Sequence, residues 1–590
     1  MSSIRVKSLS VSNYRSFGRV QNIQFPDRSY SKPVSIVGYN NSGKTNLINA
    51  IKFGLYESVR EETLEIKDFH NKDWNNPPWF SLEFQASIAD DHILPGNSYT
   101  NTVEVQTNGA RINSVSDTCN CYLRSGHYSK KWVIKQRAPI FYINFHSIKE
   151  EISTNRTSWG NLKSFLAKHL QKIVESDETM IGRKDAFEQE VKDATDNVIQ
   201  DSNLSAFISH IQRNYSENLR RNNCVVDFGL PSYEDIFLKM LFKIGLNGNS
   251  ENLIPLDHFG DGFISMFVMA VIQAIADFNV EDNCLFLFEE PESFLHENHQ
   301  EYFYKSVLCG LSEKGHQVIY TTHSDRMIDP FDTKGVIRLE MDETNQTIVK
   351  YNCILPLAAS MVDEDTGEII RLSRYNEFIK SVEPNLSRIL FSRKVILVEG
   401  PNDVLVYKHI IKNRVLQMVE HNDRVSNKER FADTFLCFDN IAIVCHFGKS
   451  TALYLIELCK HFNIDYFVIT DWDLFEPISY VDDLLRYQTE DQYKNSLEYD
   501  LCNEKGLMTI NWRLLRSAGQ ERLHFNNRRL EEAIGYPHND KSSIKIWDHI
   551  SSERFTIDES ILPVSLFNFL GFRHLLLEAA EESRSIIGNS

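Results

Sequence analysis

The stretch "KVILVEGPNDVLVYKHI" (394–410) places Glu399 directly after a buried-looking β run at 395–398, and Asp403 four residues later. A Gly-Pro turn into a helix fits the same letters, with Asn402 or Asp403 as N-cap. Two carboxylates at a strand end can also ligate a divalent cation. The pattern recurs in "IDYFVITDWDLFE" (464–476), where a strand ends in Asp471 and Asp473. Alternation puts both aspartates on one side of the chain, where they could share one metal or hold two. Three or four carboxylates held close together repel one another unless divalent cations neutralise them. Mg²⁺ or Mn²⁺ bound there can clamp a phosphodiester and activate water.

A second group of residues points to nucleotide chemistry. "GYNNSGKT" (38–45) satisfies G-x-x-x-x-G-K-[ST] in full. Gly38 and Gly43 let the backbone curl, so that N–H groups along Asn40, Asn41, Ser42 and Asn46 face a triphosphate at a helix N-terminus. Lys44 reaches the β- and γ-phosphates, and Thr45 offers its hydroxyl to Mg²⁺. The loop follows a strand at 34–37 and precedes an amphipathic helix, the context this motif requires. "CLFLFEEPESFLHENHQ" (284–300) supplies the complement: a buried strand at 285–288 that ends in Glu289 and Glu290. One acid is expected to orient the Mg²⁺ shell and the next to polarise the attacking water.

The elements that position these residues follow from periodicity. Strand-like patches and the glycine loop occupy residues 1–150, including "WFSLEFQASI" (79–88) and "APIFYINF" (138–145). Residues 151–224 turn polar and helical, as in "LKSFLAKHLQKIV" and "DAFEQEVKDATDNVIQ", the texture of a helical insertion and a dimerisation arm. The α/β texture returns over 225–350, with "NCLFLFEEPES" and "GHQVIYTTHS" both strand-then-turn. A less patterned helical linker is expected over 351–390. A second α/β block fills 391–590, where "IAIVCHFGKSTALYLIELCKHF" (441–462) reads strand, glycine turn, helix. No internal repeat or low-complexity tract stands out. The fold class expected is α/β, with at least two domains for 590 residues.

Composition narrows the function classes. The net charge of −18 excludes a generally basic nucleic-acid coat. Nucleic acid must then be met through local basic patches or through metals. "HYSKKWVIKQR" (127–137) and "QERLHFNNRR" (520–529) are the two candidate patches, the second beside the proposed acid site. The longest apolar stretch, 263–278, is broken by Ser265, Gln273 and Asp277 and is too short to span a bilayer. The N-terminus lacks the apolar core of a signal peptide. Ten cysteines are scattered, and only Cys119 and Cys121 are close, so a zinc site is not expected and the thiols read as reduced and cytoplasmic.

These motifs resemble known families. "EEPESFLH" looks like the Walker B and D-loop of ABC-type ATPases of chromosome maintenance and DNA repair. "VIYTTHS" (318–324) is similar to their switch strand, making His323 the γ-phosphate sensor. "SNYRSF" resembles their N-terminal segment, which implies Arg15 near the nucleotide. "HFGDGFISMF" (258–267) occupies the signature region but keeps only Gly260 and Gly262 of its small-residue pattern. The resemblance implies ATP held between two copies, hence a homodimer. The glutamine of the Q-loop is not assigned. The order Glu-Gly-x-x-acid, glycine turn, Asp-x-Asp resembles the Toprim fold, whose acids gather at the C-terminal edge of a parallel sheet.

An ABC-type ATPase followed by Toprim in a chain of this length resembles the OLD (overcoming lysogenization defect) nucleases. That resemblance implies a metal-dependent DNA endonuclease that uses ATP and Mg²⁺, with Mn²⁺ or Ca²⁺ possible at the Toprim site. It further implies a role in anti-phage defence, alone or beside a helicase or a reverse transcriptase with its DNA product. The family's second acid is often Glu, whereas here it is Asp403. Phe475 stands where Toprim can carry a third aspartate. A later acid and a lysine are implied, best matched by Glu531 over Glu532 and Lys545 over Lys541, the lysine stabilising charge on the pentavalent phosphate. Two other readings stay open. One is an ATP-driven DNA clamp with a non-cleaving Toprim domain. The other is a topoisomerase- or primase-like enzyme, for which Tyr407 and Tyr466 are the tyrosines at hand and no breakage domain is visible.

Overall fold

A computed structural model describes residues 3–572, except 56–63, 88–97, 110, 120–139, 149–176, 201, 220–242, 246–252, 279–282, 330–331, 353–360, 363–368, 371–385, 423–424, 477, 479, 539, 553 and 559. The basic stretch 127–137 and the helical stretch 162–174 lie outside the described residues, as does Cys121.

The N-terminal half is built from two sheets. Strands β1 (Ser3–Ser12), β2 (Gln21–Gln24), β4 (Trp79–Ser87), β5 (Ser98–Thr107) and β6 (Ile112–Cys119) form an antiparallel sheet in the order β2-β1-β4-β5-β6. In β4 the side chains alternate between buried and half-buried, the mark of a strand with one face on a core. The second sheet runs β13-β12-β3-β11-β10-β7. It comprises β3 (Val34–Val37), β7 (Ile140–Asn144), β10 (Leu285–Glu289), β11 (Gln317–Thr321), β12 (Val336–Met341) and β13 (Thr347–Asn352). All are parallel except β13 at the edge. Strands β3, β10 and β11 are buried along their whole length, as expected of parallel strands covered on both faces. An antiparallel pair of β8 (Lys243–Gly245) and β9 (Leu253–Pro255) forms a separate two-stranded sheet.

Helix α1 (Lys44–Leu55) leaves the glycine loop and buries Leu47, Ile48, Ala50 and Ile51 between the two sheets. The insertion contributes α2 (Glu178–Ile199) and α3 (Asn203–Leu219), mostly exposed where described, in agreement with the helical texture of the sequence. Helix α4 (Asp261–Phe278) precedes β10.

The linker departs from the helical expectation. Its described part holds a two-stranded antiparallel pair, β14 (Met361–Val362) with β15 (Ile369–Ile370), and one 3₁₀ segment at Leu386–Phe391. Val362, Ile369 and Ile370 are β-branched, and their stiff χ1 favours the extended chain.

The C-terminal half is a parallel sheet ordered β17-β16-β18-β19: β16 (Lys394–Val398), β17 (Ile441–Cys445), β18 (Asp465–Asp471) and β19 (Leu523–Asn526). Helices α5 (Pro401–Val419), α6 (Lys449–His461) and α7 (Lys505–Ala518) follow, with the short α8 (Leu530–Ala533) and then α9 (Ser543–Ile550). The halves meet through Arg338, which is 3% exposed and donates to the carbonyls of Leu390 (3.1 Å), Ser392 (2.7 Å) and Asn463 (3.3 Å). Among the described residues no helix is long and apolar enough to cross a membrane.

Candidate active sites

The glycine loop turns because three residues accept φ values that side chains disfavour: Gly38 (152°), Asn41 (66°) and Gly43 (96°). A Cβ on Gly43 would lie 2.3 Å from the Thr347 hydroxyl, so only glycine fits. Lys44 is buried and donates to the carbonyls of Gly38 (2.9 Å) and Tyr39 (3.1 Å). Burial lowers its ammonium to about 8, opposed by Glu290 and Glu292. Both carbonyls belong to the loop itself, so Lys44 bridges back across the loop that precedes it. Thr45, Asn40 and Asn41 are exposed, whereas Ser42 is buried and its Oγ has no hydrogen-bond partner.

At the end of β10, Glu289 is 4% exposed and accepts from the Tyr142 hydroxyl at 2.7 Å. Glu290 takes a left-handed φ of 47° and lies between two histidines. His323 Nε2 is 3.1 Å from Oε1, and His146 Nε2 is 2.5 Å from Oε2. The His323 hydrogen bond above all holds the Glu290 carboxyl down at about 2. His146 was not anticipated; it stands just past β7, the neighbour of β10 in the sheet, a pairing across more than a hundred residues that no local pattern reveals. Glu292 was also missed. Its Oε1 accepts from the Thr322 hydroxyl (2.7 Å) and the His323 amide (2.6 Å), tying β11 to the acidic turn. The third acid of "EEPES" was its only signal.

Arg15 also has a positive φ (49°), donates to Asp68 (2.9 Å) and Asn46 (3.2 Å), and lines a cleft of about 490 Å³ with Lys67 and Lys72. The structure thus joins Arg15 to Asn46 on the first turn of α1. Gly262 approaches the turn after β10 so closely that a Cβ would meet the Phe294 carbonyl at 2.6 Å, while Gly260 faces open space.

The second site lies where β16, β18 and β19 end. Glu399 Oε2 accepts from the Thr470 hydroxyl (2.9 Å) and the Asp471 amide (3.1 Å), which fixes it against the neighbouring strand. Asp403 sits on the first turn of α5, and its Oδ2 accepts from the Gly400 amide at 3.0 Å. The helix-start reading of "EGPND" holds, but the N-cap is Gly400 rather than Asn402 or Asp403; Asp403 stands at the third helical position and reaches back to the cap amide. Asp403 Oδ1, however, is buried with no hydrogen-bond partner. Burial, reinforced by Glu399 and to a smaller extent by Glu531, raises the Asp403 carboxyl to about 7. Burial and the Glu399 charge likewise raise Asp471 to about 8, although Asn526 Nδ2 donates to its Oδ1 at 3.0 Å. Asn526 is in turn held by the Tyr407 hydroxyl at 2.8 Å.

Asp473, at φ 62°, turns to Lys449, whose Nζ is 3.0 Å from Oδ2; Arg529 Nε is 3.8 Å from Oδ1. Lys449 is 7% exposed and begins α6 directly after Gly448. Sequence reading passed over it as part of a glycine turn. A lysine at the first position of an otherwise apolar helix face was the available signal. Glu399, Lys449, Ser450 and Asp473 line one cleft of about 450 Å³ with Gly506, Leu507 and Ile510. Glu531 on α8 lies 3.8 Å from Lys541. Lys545 on α9 pairs with Asp540, which also accepts from Tyr536. Tyr407 and Tyr466 are 0% and 2% exposed, so neither presents a nucleophile.

The residues present fit a hard cation in donor type and not as a finished cage. Among the described residues no three His, Cys, Asp or Glu side chains converge as a metal-holding group. Carboxylate oxygens are the donors Mg²⁺ and Mn²⁺ prefer, and Mg²⁺ commonly takes one or two carboxylates and completes its shell with water and substrate phosphate. The orphaned Oδ1 of Asp403 and the raised carboxyls of Asp403 and Asp471 mark a pocket in which negative charge lacks a counter-ion.

Comparison with known proteins finds relatives of both halves of the chain. Residues 142–328 match the AAA ATPase domain family and residues 8–227 the AAA domain family. Residues 390–473 match the family described as overcoming lysogenization defect protein-like, TOPRIM domain. The OLD nuclease of Thermus scotoductus is 24% identical over 293 residues, 49% of this chain and 48% of that protein. The Old nuclease of Escherichia phage P2 is 24% identical over 449 residues, 69% of this chain and 70% of that protein. Endonuclease GajA of Bacillus cereus is 21% identical over 436 residues, 69% of this chain and 68% of that protein. The match thus spans about half the length of the Thermus relative and somewhat over two thirds of the other two. The chain thus carries an ATPase-domain match followed by a match to the OLD-like TOPRIM domain, and it is similar to proteins named OLD nuclease.

Proposed function

We propose that the protein is an ATP-hydrolysing, divalent-metal-dependent DNA endonuclease of OLD type. Residues 1–150 and 225–350 form the ATPase, 151–224 a dimerisation arm, and 391–590 the TOPRIM nuclease. The observation that carries this reading is the gathering of Glu399, Asp403 and Asp471 at one end of a parallel sheet, with a buried carboxylate oxygen of Asp403 left unbonded. Nuclease names among the relatives support DNA as substrate.

Each side chain has a task. Glu399, Asp403, Asp471 and Asp473 would hold Mg²⁺ or Mn²⁺, with Ca²⁺ a further candidate ion and Glu531 an outer acid. The bound ion would supply a lowered water pKa and a counter-charge for the phosphodiester. Asn526 and Thr470 fix the carboxylates in place, and Lys449 offers a buried cation beside the cleft. In the ATPase, Lys44, Thr45 and Glu289 hold ATP and its Mg²⁺, Glu290 orients water, and His323 reports the γ-phosphate. The same reading has the protein act in the cytoplasm, as a homodimer, in anti-phage defence. A neighbour-encoded helicase or a reverse transcriptase with its DNA product is the kind of partner it would take.

The test is cleavage of supercoiled plasmid with Mg²⁺ or Mn²⁺ by wild type, Asp471→Ala and Lys44→Ala, each with and without ATP. Loss of cutting in Asp471→Ala, with Lys44→Ala altering only the ATP response, is the expected result. Undiminished cutting by Asp471→Ala would sink the reading. ATP turnover and DNA binding without cutting by the wild type would favour the clamp instead.

A further inference from the structure

Two large aromatic side chains face solvent at the rim of the carboxylate site. Phe475 lies two residues beyond Asp473 and is 79% exposed; Phe447 is 40% exposed. The Phe447 amide donates to the Glu399 carbonyl at 3.1 Å, so this residue's backbone lies beside the first acid as Phe475 follows the last in sequence. The Arg528 guanidinium stacks over the Phe475 ring at 4.8 Å. Arg528 also reaches Glu532 (3.7 Å), and the neighbouring Arg529 reaches Asp473 (3.8 Å), both ion pairs being long and exposed. The Asp473 amide donates to the Arg528 carbonyl at 2.8 Å, which locks the two rim segments together.

The backbone supports a role for this rim. Phe447 (φ 52°), Asp473 (φ 62°) and Arg528 (φ 57°) all occupy the left-handed region. A bulky residue there is strained, and such strain persists where surrounding structure holds it for a purpose. Exposed phenyl rings gain nothing from water. Unpaired bases stack on such rings regardless of sequence, while adjacent arginines take the phosphates. In paired duplex the base faces are hidden.

We propose that Phe447 and Phe475, with Arg528 and Arg529, form a stacking platform that receives unpaired nucleotides beside the scissile phosphate. The protein then prefers DNA that is single-stranded or locally opened over perfect duplex. The proposal rests on the nuclease reading only for its orientation; the platform itself binds without cutting.

The test is fluorescence anisotropy of the full chain in EDTA. The probes are a labelled perfect duplex, the same duplex with a central mismatched bubble, and the labelled single strand. The wild type is expected to bind bubble and single strand about tenfold more tightly than duplex. Phe475→Ala and Phe447→Ala should each erase most of that preference with little effect on duplex, and Phe475→Trp should keep it. Both positions are exposed, and an unchanged thermal melt establishes that the variants fold. Equal affinity for the three probes, or a preference that survives both alanine variants, overturns the proposal. Plasmid cutting without a bubble preference removes the platform and leaves the nuclease reading intact. A bubble preference without plasmid cutting does the reverse.

Discussion

Lys449 and Asp473 meet at 3.0 Å across the mouth of the TOPRIM cleft, the lysine 7% exposed and joined to no other acid among the ion pairs of the described residues. An ammonium taken this far out of water is costly unless paired, so the contact holds both partners in place. Its position beside Glu399 makes it the cation best placed to meet charge that develops on a phosphate.

The first prediction follows from that contact. Lys449→Met should lower DNA cleavage by about 10²-fold, the usual cost of removing one preorganised charge donor. Freed from its partner, Asp473 should hold Mn²⁺ at least as tightly as before. Isothermal titration with Mn²⁺ separates the two effects. Weakened metal binding together with weakened cleavage would make Lys449 a mere support of the cleft wall.

A second prediction concerns Arg338, which couples the two halves. Its guanidinium donates to three carbonyls of the TOPRIM side and lies 3.4 Å from Glu340. Arg338→Ala leaves Glu340 buried beside only Lys350 and deprives three carbonyls of a donor. The loss expected is about 3 kcal/mol. Calorimetry should show the two halves melting as separate transitions where the wild type melts as one. ATP should then cease to influence cleavage. An unchanged single transition would show that the Tyr351–His461 contact, at 2.7 Å, suffices to join the halves.

How far the sequence went is explained by the range of the forces involved. Central parallel strands must be apolar on both faces, so β10, β16 and β18 stood out as apolar runs, and the acids that end them were conspicuous for the same reason. The glycine loop was legible because Gly38 and Gly43 serve local backbone needs. Residues whose role depends on a distant partner were not legible. Asn526 meets Asp471 only because β19 pairs with β18, and His146 meets Glu290 only because β7 pairs with β10. Lys541 and Lys545 show the same limit. Four residues apart, they differ little in sequence and Lys545 was preferred, yet Lys541 lies near Glu531 while Lys545 pairs with Asp540. Residues 361–362 and 369–370 of the linker were expected to be helical because two-residue strands leave too short a pattern to read.

A third prediction is a stability change with pH. His316 is buried, and its Nδ1 accepts the Cys284 amide at 3.0 Å, which requires an unprotonated nitrogen. Burial above all, and then the Lys314 charge, lower the imidazole to about 4, with Asp277 opposing. The folded state therefore favours the neutral ring. Its contribution is fully present above the ordinary histidine value near ~6.5 and is lost as pH falls from there towards about 4. Urea midpoints should fall over that window. In His316→Asn, which offers an acceptor without a titrating ring, the fall should be shallower. An equal slope in both proteins would assign the acid sensitivity elsewhere.

The last prediction separates the two histidines that grip Glu290. The carboxylate is held at about 2, chiefly by His323, in a backbone conformation with φ 47° that glutamate does not choose freely. Glu290→Gln keeps the shape and removes the charge that would orient water. ATP hydrolysis should drop by about 10²-fold or more while nucleotide binding persists. On the proposed reading His323 also senses the γ-phosphate, and its amide is anchored on Glu292. His146 grips the other carboxylate oxygen, packs edge-on against Phe294 and is exposed. His323→Ala should therefore abolish hydrolysis as fully as Glu290→Gln does. His146→Ala should leave Glu290 one remaining partner, reducing turnover by a smaller factor without weakening nucleotide binding. Single-turnover hydrolysis alongside binding of a fluorescent ATP analogue distinguishes these cases. Equal losses for both histidines would mean that Glu290 needs the pair, and that water is positioned by the whole triad.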